Sequence, residues 1–183
     1  MNCAASIKLT PYVLQAALLA FCFSHALPAQ STQSEYELPS KYEQWLDEDV
    51  RWIITPEERT MFRGLTSNED RDRFIERFWK RRDPTPGTPE NEFKEEHYRR
   101  IAYANIHFAW GKVPGWQTDR GRIYIRYGPP DEIKQEPLRL SDTSGKRTEV
   151  WYFDSIRSGK PMTFRFVDFC GCGDYRFDQG PIN

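Results

Sequence analysis

At 183 residues and a formal charge of −1, the chain has room for one domain with a sizeable core. Its 26 basic and 27 acidic residues are interspersed, so nothing electrostatic argues for nucleic acid. No apolar stretch reaches the roughly twenty residues that a membrane helix needs.

The first 30 residues differ from the rest. Lys8 is the only charge before Glu35, residues 12–23 form an apolar run, and Ser24, Ala26 and Ala29 follow. This order of positive, apolar and small residues is that of a secretory signal peptide. The expectation is a leader over residues 1–29, cleaved after Ala26 or Ala29; the alternative is a buried N-terminal helix. Leu19 and Cys22 have the spacing of a lipidation site, but Phe21 stands where a small residue is needed, which argues against lipidation. Cleavage would leave 25 basic against 27 acidic residues and place the protein outside the cytoplasm, in the periplasm or secreted. Residues 30–39 are polar and aperiodic, a flexible leader to one domain over residues 40–183.

From Ser40, Tyr42, Trp45, Leu46, Val50, Ile53 and Ile54 recur at helical spacing. Thr55-Pro56-Glu57-Glu58 then offers a capping box with proline at the first helical position, and Gly64 a stop. Ser67 with Asp70 starts a third helix, whose apolar face is Phe74, Ile75, Phe78 and Trp79. Lys80, Arg81 and Arg82 fall in its last turn, where cations favour the negative end of the helix dipole. The prolines and glycine of residues 83–88 make a rigid turn. Thr88-Pro89 predicts the start of a fourth, long helix reaching about Trp110 and ended by Gly111.

The period then changes. Ile123, Ile125 and Tyr127 alternate with Tyr124 and Arg126, which predicts a half-buried strand. A short extended piece around Ile133 and two aromatic, β-branched runs over residues 149–156 and 162–169 complete the pattern. The fold class expected is α+β: about four N-terminal helices packed on a C-terminal antiparallel β-meander of three or four strands.

Cys3 and Cys22 leave with the leader, so only Cys170 and Cys172 remain. A small disulfide ring, two free thiols and a metal site are all open, although the neighbouring sequence supplies no further metal ligands and no metal or cofactor is expected. Standard catalytic constellations are missing. His97 and His107 share one predicted helix, and neither has a recognisable partner.

Two polar turns stand out, residues 81–92 and 115–122. Arg82, Asp83, Asn91 and Glu92 in the first, with Trp116, Thr118, Asp119, Arg120 and Arg122 in the second, are the candidate site. Read as a site, an arginine would hold an anionic or carbonyl-bearing ligand, Asp119 or Glu92 would act as base, and Trp116 would form a wall. Read as structure, Thr118 and Asp119 bond the turn backbone, while Asp83 pairs with Arg120 or Arg122 to tie helix to sheet. Unpaired carboxylates in an open cleft would favour the first reading, covered pairs the second.

The motif Gly115-Trp116-Gln117-Thr118-Asp119 resembles the GWxTD domain family. Residues 78–88 with Asn91-Glu92, Arg120-Gly121-Arg122-Ile123-Tyr124-Ile125, Tyr127-Gly128-Pro129-Pro130-Asp131 and Gly173-Asp174-Tyr175-Arg176 extend the likeness to nearly the whole mature chain. The resemblance implies a bacterial, commonly exported protein and brings no catalytic residues; Cys170-Gly171-Cys172 departs from the small, polar turn of relatives. The leading expectation is a non-enzymatic binding or assembly module of the cell envelope, with another envelope protein or a small anionic ligand as partner. The alternative is a hydrolase-like enzyme using Asp119 or Glu92 with nearby arginines.

Overall fold

The computed structural model describes residues 40–136, 146–154 and 160–180. The expected leader, and with it Cys22, the cleavage positions and residues 30–39, lies outside the described residues.

Ser40 caps α1 (Lys41–Gln44), which runs directly into a π-helical turn over Trp45–Asp49. The capping box predicted at Thr55 is present: its side chain accepts from Glu58 N–H and Glu58 reaches back to Thr55 N–H, opening α2 (Pro56–Arg63). Ser67 caps α3 (Asn68–Lys80) by accepting from Asp70 N–H, also as read. The long helix α4 (Glu92–His107) starts later than Thr88-Pro89 predicted and ends before Trp110. Asn91 is its cap, accepting from Lys94 N–H and donating to the Trp79 carbonyl at the end of α3. A side chain that can cap one helix and bond the end of another outweighs the weaker Thr-Pro signal.

The largest correction concerns residues 119–127, which form a helix, α5 (Asp119–Tyr127), and not a strand. A 3-10 turn (Gly115–Gln117) leads into it, and Thr118 caps it by accepting from Gly121 N–H at 3.1 Å. Ile123 and Ile125 are both buried although they lie about 200° apart on a helix. The reason is that α5 is covered on two sides. Tyr124 stacks on Tyr103 of α4 with ring centroids 4.4 Å apart, while Tyr127 packs on Phe153 and Phe164 of the sheet. A short helix buried on opposite faces produces the alternation of a strand, and the β preference of isoleucine and tyrosine is too weak to resist packing.

The sheet is an antiparallel meander in the order β1 (Glu132–Glu136), β2 (Arg147–Phe153), β3 (Met162–Asp168), β4 (Tyr175–Gln179). β1 contains the predicted piece around Ile133; β4 takes the place of the strand misplaced at 123–127. The α+β order of helices and then an antiparallel sheet stands, with five helices and four strands among the described residues. Trp151 pairs with Phe164 across β2 and β3, and with Phe153 and Phe166 they cover the helix-facing side of the sheet.

Two aromatic cores result. One gathers Trp45, Phe62, Phe74 and Phe78 from the π-helical turn, α2 and α3; the other joins Phe108, Trp116 and Ile125 to the sheet. Helix α4 belongs to both, with Phe93 and Tyr98 against the first and Ala104 and Phe108 in the second.

Candidate functional site

The Gly-Trp-x-Thr-Asp turn is built for close backbone approach. A Cβ on Gly115 would lie 1.8 Å from the Ala104 carbonyl oxygen of α4, and one on Gly121 would lie 1.8 Å from the Gly115 carbonyl oxygen. Trp116 is buried, its N–H donates to Asn105 Oδ1 at 2.9 Å, and its carbonyl accepts from Trp52 Nε1 at 2.8 Å. Thr118 Oγ1 donates back to the Gly115 carbonyl while capping α5. Asp119 Oδ2 accepts from Phe177 N–H of β4 at 2.9 Å, and Oδ1 lies 3.5 Å from Arg122. Of the five motif letters only the variable one, Gln117, is exposed.

The remaining arginines of this turn also face partners. Arg120 pairs with Glu149 of β2 at 3.1 Å and lies over the rings of Tyr175 and Phe108. The expected pair between Asp83 and Arg120 or Arg122 is therefore not formed. Asp83 instead accepts from Thr85 N–H within its own turn, because α5 as a helix turns Arg120 to Glu149 of β2 and Arg122 to Asp119 and the Phe177 ring, away from the end of α3.

Asp119→Asn is expected to lower stability by about 1–2 kcal/mol, since the amide keeps an acceptor for Phe177 N–H but loses its charge beside Arg122. Thermal melting followed by circular dichroism checks this. An unchanged midpoint would remove Asp119 from the joint between α5 and β4.

The first polar turn has a different neighbourhood. Arg82 grips Glu58 with both arms of its guanidinium, at 3.0 and 2.7 Å, and Arg81 adds a contact of 2.8 Å to the same carboxylate. Burial alone would raise the Glu58 carboxyl, but hydrogen bonds from Arg82, the Thr55 N–H and Arg81 outweigh it and hold it at about 2.

Arg82 and Glu92 also line a cleft of about 1480 Å³ between the helical core and the sheet. Trp52, Ile53, Phe93, Tyr127, Phe153 and Met162 give it apolar walls; Arg51, Arg100 and Arg126 join Arg81 and Arg82 in giving it cationic groups. Arg100 is bound to Glu96 at 2.7 Å and comes within reach of the Ile125 carbonyl. Arg51 lies beside the rings of Trp52 and Trp116, and Arg126 beside Tyr127; among the described residues neither has a carboxylate partner.

His97 lies at the floor, buried, with Nε2 2.7 Å from the Asp49 carbonyl; the ring therefore donates there and leaves Nδ1 without the proton. Burial pushes its pKa down against the pull of that carbonyl, and Arg100 and Arg82 push it the same way.

The nine candidate residues thus separate. Arg82 and Glu92 line the large cleft, with Asn91 and Asp83 structural beside it. Thr118 and Asp119 border a small hollow with Trp110, Asp174 and Tyr175, and neither they nor Trp116, Arg120 or Arg122 reach the cleft. Arg51, Trp52, His97, Arg100, Arg126 and Tyr127 complete the cleft from three different elements. No local signal links them, and no sequence motif singles them out.

Cys170 and Cys172 are joined as a disulfide. With Asp168 they form a group whose ligand atoms lie within 4.8 Å of one another.

These features define a class: helices closed over a four-stranded meander through a glycine-tight turn, with an arginine-lined cleft between core and sheet. The sequence model of the GWxTD domain matches residues 19–171, and the chain belongs to that family. No curated protein and no solved structure matches it. No helix among the described residues is long and apolar enough to cross a membrane.

Proposed function

We propose that this GWxTD protein is a non-enzymatic binding or assembly module of the cell envelope, working outside the cytoplasm and taking an anionic group in the arginine-lined cleft. The observation that carries this reading is the pair Arg51 and Arg126, which face the cleft beside aromatic walls and have no carboxylate partner among the described residues. An anion bound there gains charge-assisted hydrogen bonds without breaking an existing pair. Asp119, one of the two bases of the alternative reading, is tied to Phe177 N–H and Arg122, which supports binding over hydrolysis at that residue; Glu92, the other, lines the cleft. The extracytoplasmic setting rests on the order of residues in the leader.

The test is affinity capture from native envelope extract with the wild-type chain and an Arg51→Glu, Arg126→Glu double variant. The species retained by the wild type is expected to fall by about tenfold or more on the variant, at an unchanged melting temperature. Hydrolytic turnover abolished by Glu92→Gln in a fully folded protein would overturn the reading in favour of an enzyme.

A further inference from the structure

The turn between β3 and β4 carries chemistry that the cleft does not use. Cys170 and Cys172 are both exposed and joined to each other across one residue, Gly171. Beneath them lies Asp168, 0% exposed. Its Oδ1 stands 3.3 Å from Cys170 Sγ and accepts from Cys172 N–H at 3.1 Å; its Oδ2 accepts from Gly173 N–H at 2.8 Å. Trp110 Nε1 donates to the Cys172 carbonyl at 3.1 Å and ties the turn to the end of α4. Gly171 and Gly173 have positive φ, +66° and +96°, so the backbone adopts this shape without strain.

A bond that closes so short a loop removes little entropy from the unfolded chain. The turn is already shaped by three hydrogen bonds between side chains and its backbone that do not involve sulfur. The disulfide is therefore superfluous as a staple, and it sits where incoming thiols can reach it. When it is reduced, Cys170 can donate its S–H to the waiting Asp168 carboxylate, so both oxidation states share one frame. Phe169, 53% exposed, precedes Cys170 in the chain, and Trp110, 37% exposed, is bonded to the Cys172 carbonyl; together they offer an extended polypeptide exposed aromatic surface at this turn.

We propose that Cys170-Gly171-Cys172 is a thiol–disulfide exchange site that passes its disulfide to cysteine thiols of polypeptides. A substrate thiolate attacks Cys172 Sγ, because the Asp168 carboxylate repels an anion approaching Cys170. The Cys170–Cys172 bond breaks as the mixed disulfide forms on Cys172, and Cys170 leaves with the electron pair. It takes up one proton from water, replacing the one the substrate thiol released, and donates to Asp168 Oδ1. A second substrate thiolate attacks the substrate sulfur of the mixed disulfide, and Cys172 leaves and is protonated in the same way. The substrate loses two electrons and two protons to give its disulfide; the chain gains them as two thiols.

The experiment incubates the oxidised, purified full chain with a reduced two-cysteine peptide containing aromatic residues, and separately with reduced glutathione. Acid-quenched samples are analysed by mass spectrometry. One equivalent of peptide disulfide per chain is expected, formed about tenfold faster than with glutathione because of the exposed aromatic surface. With oxidised glutathione supplied instead, the free thiol of Cys170→Ser is expected to displace one glutathione thiolate and take up the other as a mixed disulfide at Cys172 about tenfold faster than Cys172→Ser does at Cys170. The reduced chain is expected to melt within about 3 °C of the oxidised one. The proposal is overturned if neither thiol reduces the bond, or if reduction unfolds the chain. Equal rates with peptide and glutathione would overturn the polypeptide as substrate. One tightly held zinc per reduced chain, blocking exchange, would assign the turn to metal binding instead.

Discussion

Gly121→Ala is expected to lower stability by about 3 kcal/mol or more, a fall of roughly 10 °C in melting temperature for a chain of this size. The added Cβ would lie 1.8 Å from the Gly115 carbonyl oxygen and 2.8 Å from its carbonyl carbon. Both are backbone atoms, and they cannot turn aside as a side chain could. Nor can the turn retreat, because Gly115 itself rests against α4, where its own Cβ would meet the Ala104 carbonyl at the same 1.8 Å. Three backbone segments are stacked with only hydrogen atoms between them, and one methyl group must push α5 off the stack. Gly64→Ala makes the contrast. Gly64 ends α2 at φ −77°, and its Cβ would meet nothing nearer than 3.5 Å. That change is expected to be neutral or stabilising by up to about 1 kcal/mol, through the unfolded chain. Chemical denaturation of both variants separates the two cases, and a Gly121→Ala midpoint within error of wild type would sink the account of the junction.

The second large effect belongs to Glu58. Glu58→Gln leaves Arg82, which is 18% exposed, and Arg81 without the carboxylate they share, and it weakens the capping box of α2. Removing one partner of a largely buried pair is expected to cost about 3 kcal/mol. The pH dependence has a definite sign. The folded-state pKa of about 2 lies below the ordinary carboxylate value of 4.5, so the unfolded chain binds the proton first as acid is added. The contribution of Glu58 is therefore complete above about pH 4.5 and is lost as pH falls towards 2. Urea midpoints measured from neutral pH down to about 2 should fall steeply for the wild type over that window. The Gln variant should start lower and decline less. It should not become flat, because Glu96, held down by Arg100 and Arg99 against its own burial, titrates in the same direction. A wild-type curve parallel to that of the variant would show that Glu58 is not the group lost.

The most distinctive stretch of the chain is taken up by packing and hydrogen bonding. In the turn from Gly115 to Asp119, glycine permits contact, tryptophan fills the core, threonine caps a helix and aspartate holds a strand. The cleft is built elsewhere, by groups that fold together from α4, α5 and the turn after α1.

The helix starts at Thr55 and Ser67 were legible because a cap is a local event, completed within three residues by a hydrogen bond. The order of helices followed by an antiparallel sheet was legible for a similar reason, since the apolar period and the punctuating prolines and glycines are written into each segment. Family membership was legible from motif residues that stand close together in the chain.

The helical state of Ile123 and Ile125 was decided only by tertiary structure: burial on two faces erases the one-sided stripe by which a helix is recognised. The placement of Asn91 as a cap depended on a carbonyl twelve residues away, at Trp79. The cleft depended on still longer range, bringing Arg51, Arg100 and Arg126 together from positions up to 75 residues apart. The buried carboxylate under Cys170 and Cys172 is two residues from the nearer sulfur, yet only the bend of the chain between β3 and β4 folds it beneath both. Sequence by itself determined what forms by hydrogen bonds between near neighbours. Whatever required two surfaces to meet was decided by packing, because a side chain's neighbours in space are not among its neighbours in the chain.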